Sequence, residues 1–243
     1  MSMVRIDTKG LPEVDASLQA IEKQIPFAAA LALTRSAQTA KEAIETEMAA
    51  VFDRPTRWTM RSLRLFPATK SKLVASVDMK NEADKSTPAT KWLGPQIYSG
   101  ERKDKASELN LRSRQLLPYG QQTAFGKNAK LDKHGNLPRG QITKALSGIG
   151  GFSEAGYNAN ATDSTRSSAK GNARQYFIIR KGKKALGIAR RTSKKSMHIL
   201  IAFVSKPTYS KRLDFYGIGQ STAERALPEE MRKALLEAVR TAR

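Results

Sequence analysis

Between residues 14 and 52 the apolar side chains Leu33, Ala37, Ala40, Ile44, Met48 and Val51 recur at spacings of four, three, four, four and three. That rhythm places them on one stripe of an α-helix and predicts a single long helical segment at the start of the chain. Pro26 either kinks this helix or opens its main part, because proline is tolerated in a first turn. Glu42, Glu45 and Glu47 fall mostly off the stripe. Pro55 disfavours helical geometry at the residue before it and closes the segment at Phe52-Asp53-Arg54.

Downstream the period changes. Leu63–Phe66 and Lys72–Met79, with Leu73, Ala75, Val77 and Met79 alternating, predict two strands of a hairpin. Lys85–Thr90 reads as an exposed loop. Residues 104–117 read as a helix with Leu109, Leu116 and Leu117 inward, and 118–138 are turn-rich. Ile142, Ala145, Leu146 and Ile149 predict another short helix. Residues 150–174 are mostly Gly, Ser, Ala, Asn and Thr, which suits a flexible insertion or docking arm.

After this arm, Gln175–Arg180, Lys184–Arg190 and Met197–Val204 predict a three-stranded antiparallel meander. Ser221-Thr-Ala-Glu224 fits a capping box opening a C-terminal helical segment over 221–243, with Leu227, Met231, Leu235 and Val239 as its stripe. The expected architecture is α+β: a long N-terminal helix, an antiparallel sheet with hairpins, short helices and a C-terminal helix. All 243 residues are assigned to a single α+β domain.

Charge narrows the partners. Forty-three Lys and Arg against 22 Asp and Glu give a net +21, so the chain seeks polyanions or acidic protein surfaces. The charge is uneven. Residues 1–53 hold eight acidic and five basic residues, whereas 164–213 hold fourteen basic residues and no acid. Within the second stretch Arg180, Lys181, Lys183 and Lys184 cluster at one turn. Arg190, Arg191, Lys194 and Lys195 cluster at the next. These eight are the candidate contacts for a polyanion or an acidic partner; the other reading is a solvated hairpin tip. No aromatic run recurs at the spacing that base-stacking sheets use, so any contact with nucleic acid is with phosphate and independent of sequence. Glu42, Glu45, Glu47, Arg54, Arg57 and Trp58 are the candidate subunit-interface residues. Trp58 among arginines is the kind of group that buried interface centres favour, though it also suits a cover for the core beside Phe52. Trp92 is likewise core or contact.

Catalysis finds little footing. No cysteine is present, and the two histidines, His134 and His198, lie far apart. Neither stands in a motif that supplies a nucleophile with its base. Gly148-Ile-Gly-Gly151 lacks the Lys-Ser/Thr ending of a phosphate-binding loop. No catalytic, cofactor-binding or metal-binding residue is assigned, no cofactor is expected, and the chain is read as a non-enzyme. No run of about 20 apolar residues offers a membrane span. Ile25–Leu33 is too short for a secretory signal and has no charged region ahead of it.

Four blocks carry a likeness beyond composition: Ile25–Thr34, Glu47–Thr56, Thr87–Ile97 and Leu131–Ile142. In order and spacing they resemble the phage and prophage minor tail protein Z family, over roughly residues 25–205. The resemblance implies a structural virion protein concerned with tail completion, at the tail end or the head–tail neck. It implies a homo-oligomeric ring, sixfold favoured, that bridges connector or adaptor proteins to tail proteins around the DNA channel. The protein is then expected in the virion after synthesis in the host cytoplasm, with no membrane partner. The acidic residues of 14–53 are expected to lie near the basic meander of an adjacent subunit. A ring about 40 Å tall encloses about 24 phosphates of duplex DNA, and six copies of the Arg180–Lys184 cluster would match that number. A channel that must release DNA cannot grip it so hard, so contact with packaged DNA is expected to be weak and non-specific. The alternative is a free, sequence-independent nucleic-acid-binding protein acting through 164–213.

Overall fold

The computed structural model describes residues 11–82, 87–152, 154, 156–158, 165, 175–193 and 195–241, with the backbone alone for 11–17. It has the expected α+β composition and divides into two compact units, one formed by the chain up to Thr90 together with Arg212 onward, the other by Lys91–Lys211.

The first unit is built on two helices. α1 (Leu11–Val51) runs unbroken through Pro26, and its expected stripe is the buried one: Ala37, Ala40, Ile44 and Met48 are shielded from solvent. Its partner is the C-terminal helix, α6 (Phe215–Thr241). The two run antiparallel. Ile44 lies against Gly219, Arg35 pairs with Glu237 at 3.2 Å, and Ala28 and Ala32 pack with Ala234 and Ala238. Alanine at all four seam positions lets the helix axes approach toward the short end of the usual 8–10 Å range.

α6 departs from expectation at its start and in its phase. It begins at Phe215, where the Asp214 carboxylate accepts the Gly217 N–H at 3.4 Å, as an N-cap does. Ser221 is therefore inside the helix, its hydroxyl donating to the Ile218 carbonyl, and Glu224 accepts from Gln220 rather than closing a capping box. The buried stripe is Leu227, Met231, Ala234 and Ala238, while Leu235 and Val239 face outward. The close seam selects small residues over large ones.

After a short turn of helix, α2 (Arg57–Met60), strands β1 (Leu63–Phe66) and β2 (Ser76–Met79) form the expected antiparallel hairpin with Leu63 opposite Met79. β2 starts later than the alternation suggested, and Leu73 is exposed, because Thr69 and Lys72 bond each other's backbone in a turn. The Thr34 hydroxyl donates to Ala30 and accepts the Ala68 N–H, tying this hairpin's loop to α1.

α3 (Ala89–Tyr98) carries the chain into the second unit, so Trp92 lies on a helix, half-buried. β3 (Gly100–Glu101) follows, then α4 (Ala106–Ser113), shorter than expected. Its inward leucine is Leu111; Leu109 points to solvent, while Leu117 is buried beyond the helix end. Within the turn-rich stretch a strand forms, β4 (Gln121–Phe125), and α5 (Arg139–Gly148) follows as expected.

The meander is β5 (Tyr176–Lys181), β6 (Lys184–Arg191) and β7 (Met197–Ser205), and β8 (Thr208–Tyr209) pairs with β3. β4 adds to the meander's far edge, giving a four-stranded antiparallel sheet in the order β4-β7-β6-β5. Leu111, Leu146 and Ala145 from the helices close over Ile188, Ile201 and Phe203 of the sheet. Gly187 is required where β6 meets β7: a Cβ there would stand 2.2 Å from the Ile201 carbonyl oxygen. Apart from residues 150–152, 154, 156–158 and 165, the segment assigned as a docking arm lies outside the described residues.

Candidate interaction surfaces

The basic clusters separate. β5 and β6 are joined by the two-residue loop Gly182-Lys183, with Gly182 at φ +59°, as a tight hairpin turn requires at its first position. This turn brings Arg180, Lys181, Lys183 and Lys184 to one exposed tip. Among the described residues no ion pair includes any of the four. Like charges about 7 Å apart in water repel by roughly 0.6 kcal/mol per pair, a cost that an approaching polyanion or acidic surface relieves.

Arg190 and Arg191 stand at the other end of β6, about 23 Å away at the ordinary strand rise. They are also differently occupied. The Arg191 guanidinium lies 5.5 Å from the centre of the Phe177 ring, and Arg190 donates to the Gln175 amide oxygen at 3.1 and 3.2 Å. Lys195 is exposed in the β6–β7 turn, and Lys194 lies outside the described residues. The two expected clusters are thus an uncompensated tip and a second, partly engaged group.

The acidic candidates are likewise not equivalent. Lys41 pairs with Glu45 at 2.7 Å, Gln38 donates to Glu42 at 2.6 Å, and Glu47 is half-buried on α1. Arg54 pairs with its neighbour Asp53 at 2.9 Å, and Arg57 is exposed in α2. Trp58 does not cover the core. Its side chain is 55% exposed on a four-residue helix held by the Thr56 hydroxyl, which accepts the Thr59 N–H. An indole so placed, between Arg57 and Arg61, offers a flat apolar contact with cationic neighbours.

One constellation of charge escaped the sequence reading. Glu108, wholly buried on α4, accepts from both terminal nitrogens of Arg102 at 2.6 and 2.8 Å, and from the backbone N–H groups of Lys105 and Thr123 at 2.7 Å each. The Thr123 hydroxyl adds a fifth donor at 2.7 Å. Burial pushes the carboxyl pKa up, but these donors outweigh it and hold the group at about 2. Beside it Arg112 pairs with Asp104, lowering that carboxyl below its ordinary value, and Gln122 donates to Asp104 at 3.0 Å. Every lone pair of Glu108 is in use, so it clamps α4 to β4 and has no proton to move. Its one sequence signal is its place three residues after Lys105, where a carboxylate can reach back to the helix start.

The remaining candidates are local. The glycine string 148–151 ends α5: Gly151 donates to the Leu146 carbonyl at 2.8 Å, and Gly148 leaves room for the Tyr176 ring. His134 sits in a turn whose backbone N–H is held by Asp132, and His198 is exposed opposite Arg190. Among the described residues no group of three or more His, Cys, Asp or Glu is placed to hold a metal ion, and no helix is long and apolar enough to cross a membrane.

No family model, curated protein or solved structure matches this chain.

Proposed function

We propose that this chain is a structural protein of a tailed-phage virion. In this reading it forms a ring, sixfold favoured, at the head–tail neck or tail end and bridges connector to tail around the DNA channel. The observation that carries the reading is the placement of the four resembling blocks. Ile25–Thr34 lies on α1 at its seam with α6, and Glu47–Thr56 is the end of α1 leading to the exposed Trp58. Thr87–Ile97 covers α3, and Leu131–Ile142 is the turn that enters α5. All four lie on helices or on the turns that enter or leave them. The uncompensated tip on the β5–β6 hairpin supplies the docking chemistry for an acidic neighbour or for passing phosphate.

The same tip favours one rival, a free nucleic-acid binder. Binding to unrelated duplexes, measured from about 50 to 200 mM salt, separates the two. The ring reading expects affinity no tighter than about 10⁻⁶ M at physiological salt, the ordinary non-specific level. Nanomolar binding that collapses steeply with salt, together with absence of the protein from purified particles, overturns it.

A further inference from the structure

Where α4, β4 and α5 meet, the core of the second unit opens into a small pocket. Leu111, Leu137, Leu146 and Ile201, all more than nine-tenths buried, form its floor, and Ile142 and Phe125 stand at its side. Phe125 is 46% exposed, so its ring reaches solvent at the mouth. The pocket measures about 50 Å³. At about 12 Å³ for each water-sized occupant, that is room for about four heavy atoms, the number in a leucine side chain. Small-molecule sites are several times larger, from about 300 Å³ upward. The size therefore fits one aliphatic side chain and is too small for a cofactor.

The groups around the mouth are cationic. Lys105 and Ser107 line it from the start of α4. Arg139 opens α5 and, at about 100° per residue, lies within about 60° of Ile142 and about 20° of Leu146, on the pocket-facing side. Lys127 follows Phe125 by two residues and is exposed, as Arg139 is. Among the described residues no ion pair includes Lys105, Lys127 or Arg139. The neighbouring acids are taken. Glu108 is paired with Arg102, and Asp104 with Arg112. Asp132, the one acid in 126–144 against five cations, accepts the His134 and Asn136 backbone N–H groups. Burial, and then the Arg102 guanidinium, push the Lys105 pKa below its ordinary value, and Glu108 offsets only part of this. An anion brought to the mouth would stabilise that amine's charge.

We propose that this pocket docks an acidic segment of a partner protein, which inserts one aliphatic side chain and lays its carboxylates against Lys105, Lys127 and Arg139. Shape and charge select this occupant together. A nucleic acid matches the charge but has no aliphatic side chain for the pocket. The chain's own stretch 159–174 matches neither: it holds three basic residues against one acid, and no aliphatic side chain larger than alanine. An aliphatic anchor seated in a pocket supplies affinity, and complementary charges around it supply orientation and a faster encounter. The site lies wholly in the second unit and stands independently of the virion reading.

The test is fluorescence anisotropy of the full chain with the labelled, end-blocked peptide Asp-Glu-Leu-Asp-Glu, and with the same peptide carrying Ala for Leu. At about 50 mM salt, where charges are weakly screened, the Leu peptide binds about tenfold tighter than the Ala peptide. Lys127→Glu with Arg139→Glu weakens the Leu peptide about tenfold and leaves circular dichroism unchanged, since both positions are exposed. Ser107→Phe, which places a ring at the pocket, removes the preference for Leu. Replacing Arg180, Lys181, Lys183 and Lys184 with Gln keeps that preference, which separates the pocket from the β5–β6 tip. Equal binding of the two peptides overturns the proposal, as does a Leu peptide that fails to bind below about 1 mM. So does a Lys127→Glu, Arg139→Glu variant that binds like wild type. Displacement of the Leu peptide by a single-stranded oligonucleotide of equal charge, at equal concentration, overturns it in favour of a phosphate site.

Discussion

Arg102 holds Glu108 through two parallel hydrogen bonds, 2.6 and 2.8 Å long, at a site where the carboxylate has no contact with water. The pair fastens α4 to the edge strand β4, which is otherwise secured on one side only, by β7. Breaking one partner of such a pair leaves the other charge buried and alone. Glu108→Gln is therefore expected to lower stability by about 3 kcal/mol in urea denaturation. The pH dependence has a fixed sign. The folded-state pKa of about 2 lies below the ordinary 4.5, so this contribution is complete above pH 4.5 and is lost as pH falls toward 2. Stability curves of wild type and Glu108→Gln should converge over that window and stay parallel above it.

The alanine seam makes the first unit sensitive to added volume. Ala32 is wholly buried against α6 with Ala234 and Ala238. Ala32→Leu should cost about 1–3 kcal/mol by thermal unfolding, since the helices must part to admit the side chain. Leucine at an outward position of the same helices should change stability by less than about 0.5 kcal/mol.

This seam also marks where the sequence is legible and where it is not. The stripe on α1 was readable because its period of 3.6 is intrinsic to one helix and its members Ile44 and Met48 are large. On α6 the stripe was half readable: Leu227 and Met231 pack as expected, but hydrophobicity favours Leu235 and Val239 where the nearness of α1 selects Ala234 and Ala238. Ser221 and Glu224 imitate a capping box, but the chain has already entered the helix at Phe215. Gln121-Gln-Thr-Ala-Phe125 has no strand pattern of its own; it becomes β4 by pairing with the strongly apolar β7. The four cations of the β5–β6 tip were readable because a two-residue turn joins neighbours in sequence. Their separation from Arg190 and Arg191, already placed at the next turn by the sequence, follows from the length of β6.

Neutralising the tip tests its electrostatic role without disturbing the fold. Replacing Arg180, Lys181, Lys183 and Lys184 together with Gln should not lower the unfolding midpoint, since the residues are exposed and remote from the core, and relief of their mutual repulsion should raise it slightly. The salt slope of any residual duplex binding should fall by at most about 3.6, the share of four phosphate contacts. A slope that does not change places the phosphate contacts elsewhere on the chain.

Trp58 is expected to matter to assembly and not to stability. With over half its surface in solvent, Trp58→Ala should alter thermal unfolding by less than about 0.5 kcal/mol. If it anchors a contact between proteins, the same change should weaken incorporation into particles by about 30-fold, the effect of a typical interface anchor. Competition between wild type and variant during assembly measures this directly.

The central claim is tested most directly by cryo-electron microscopy of assembled particles, with this chain located in the density. The account predicts a closed ring between connector and tail or at the tail end, with the β5–β6 tip facing a protein neighbour or the DNA channel. Absence of the chain from mature particles would contradict it and leave the tip as the working surface of a free nucleic-acid-binding protein.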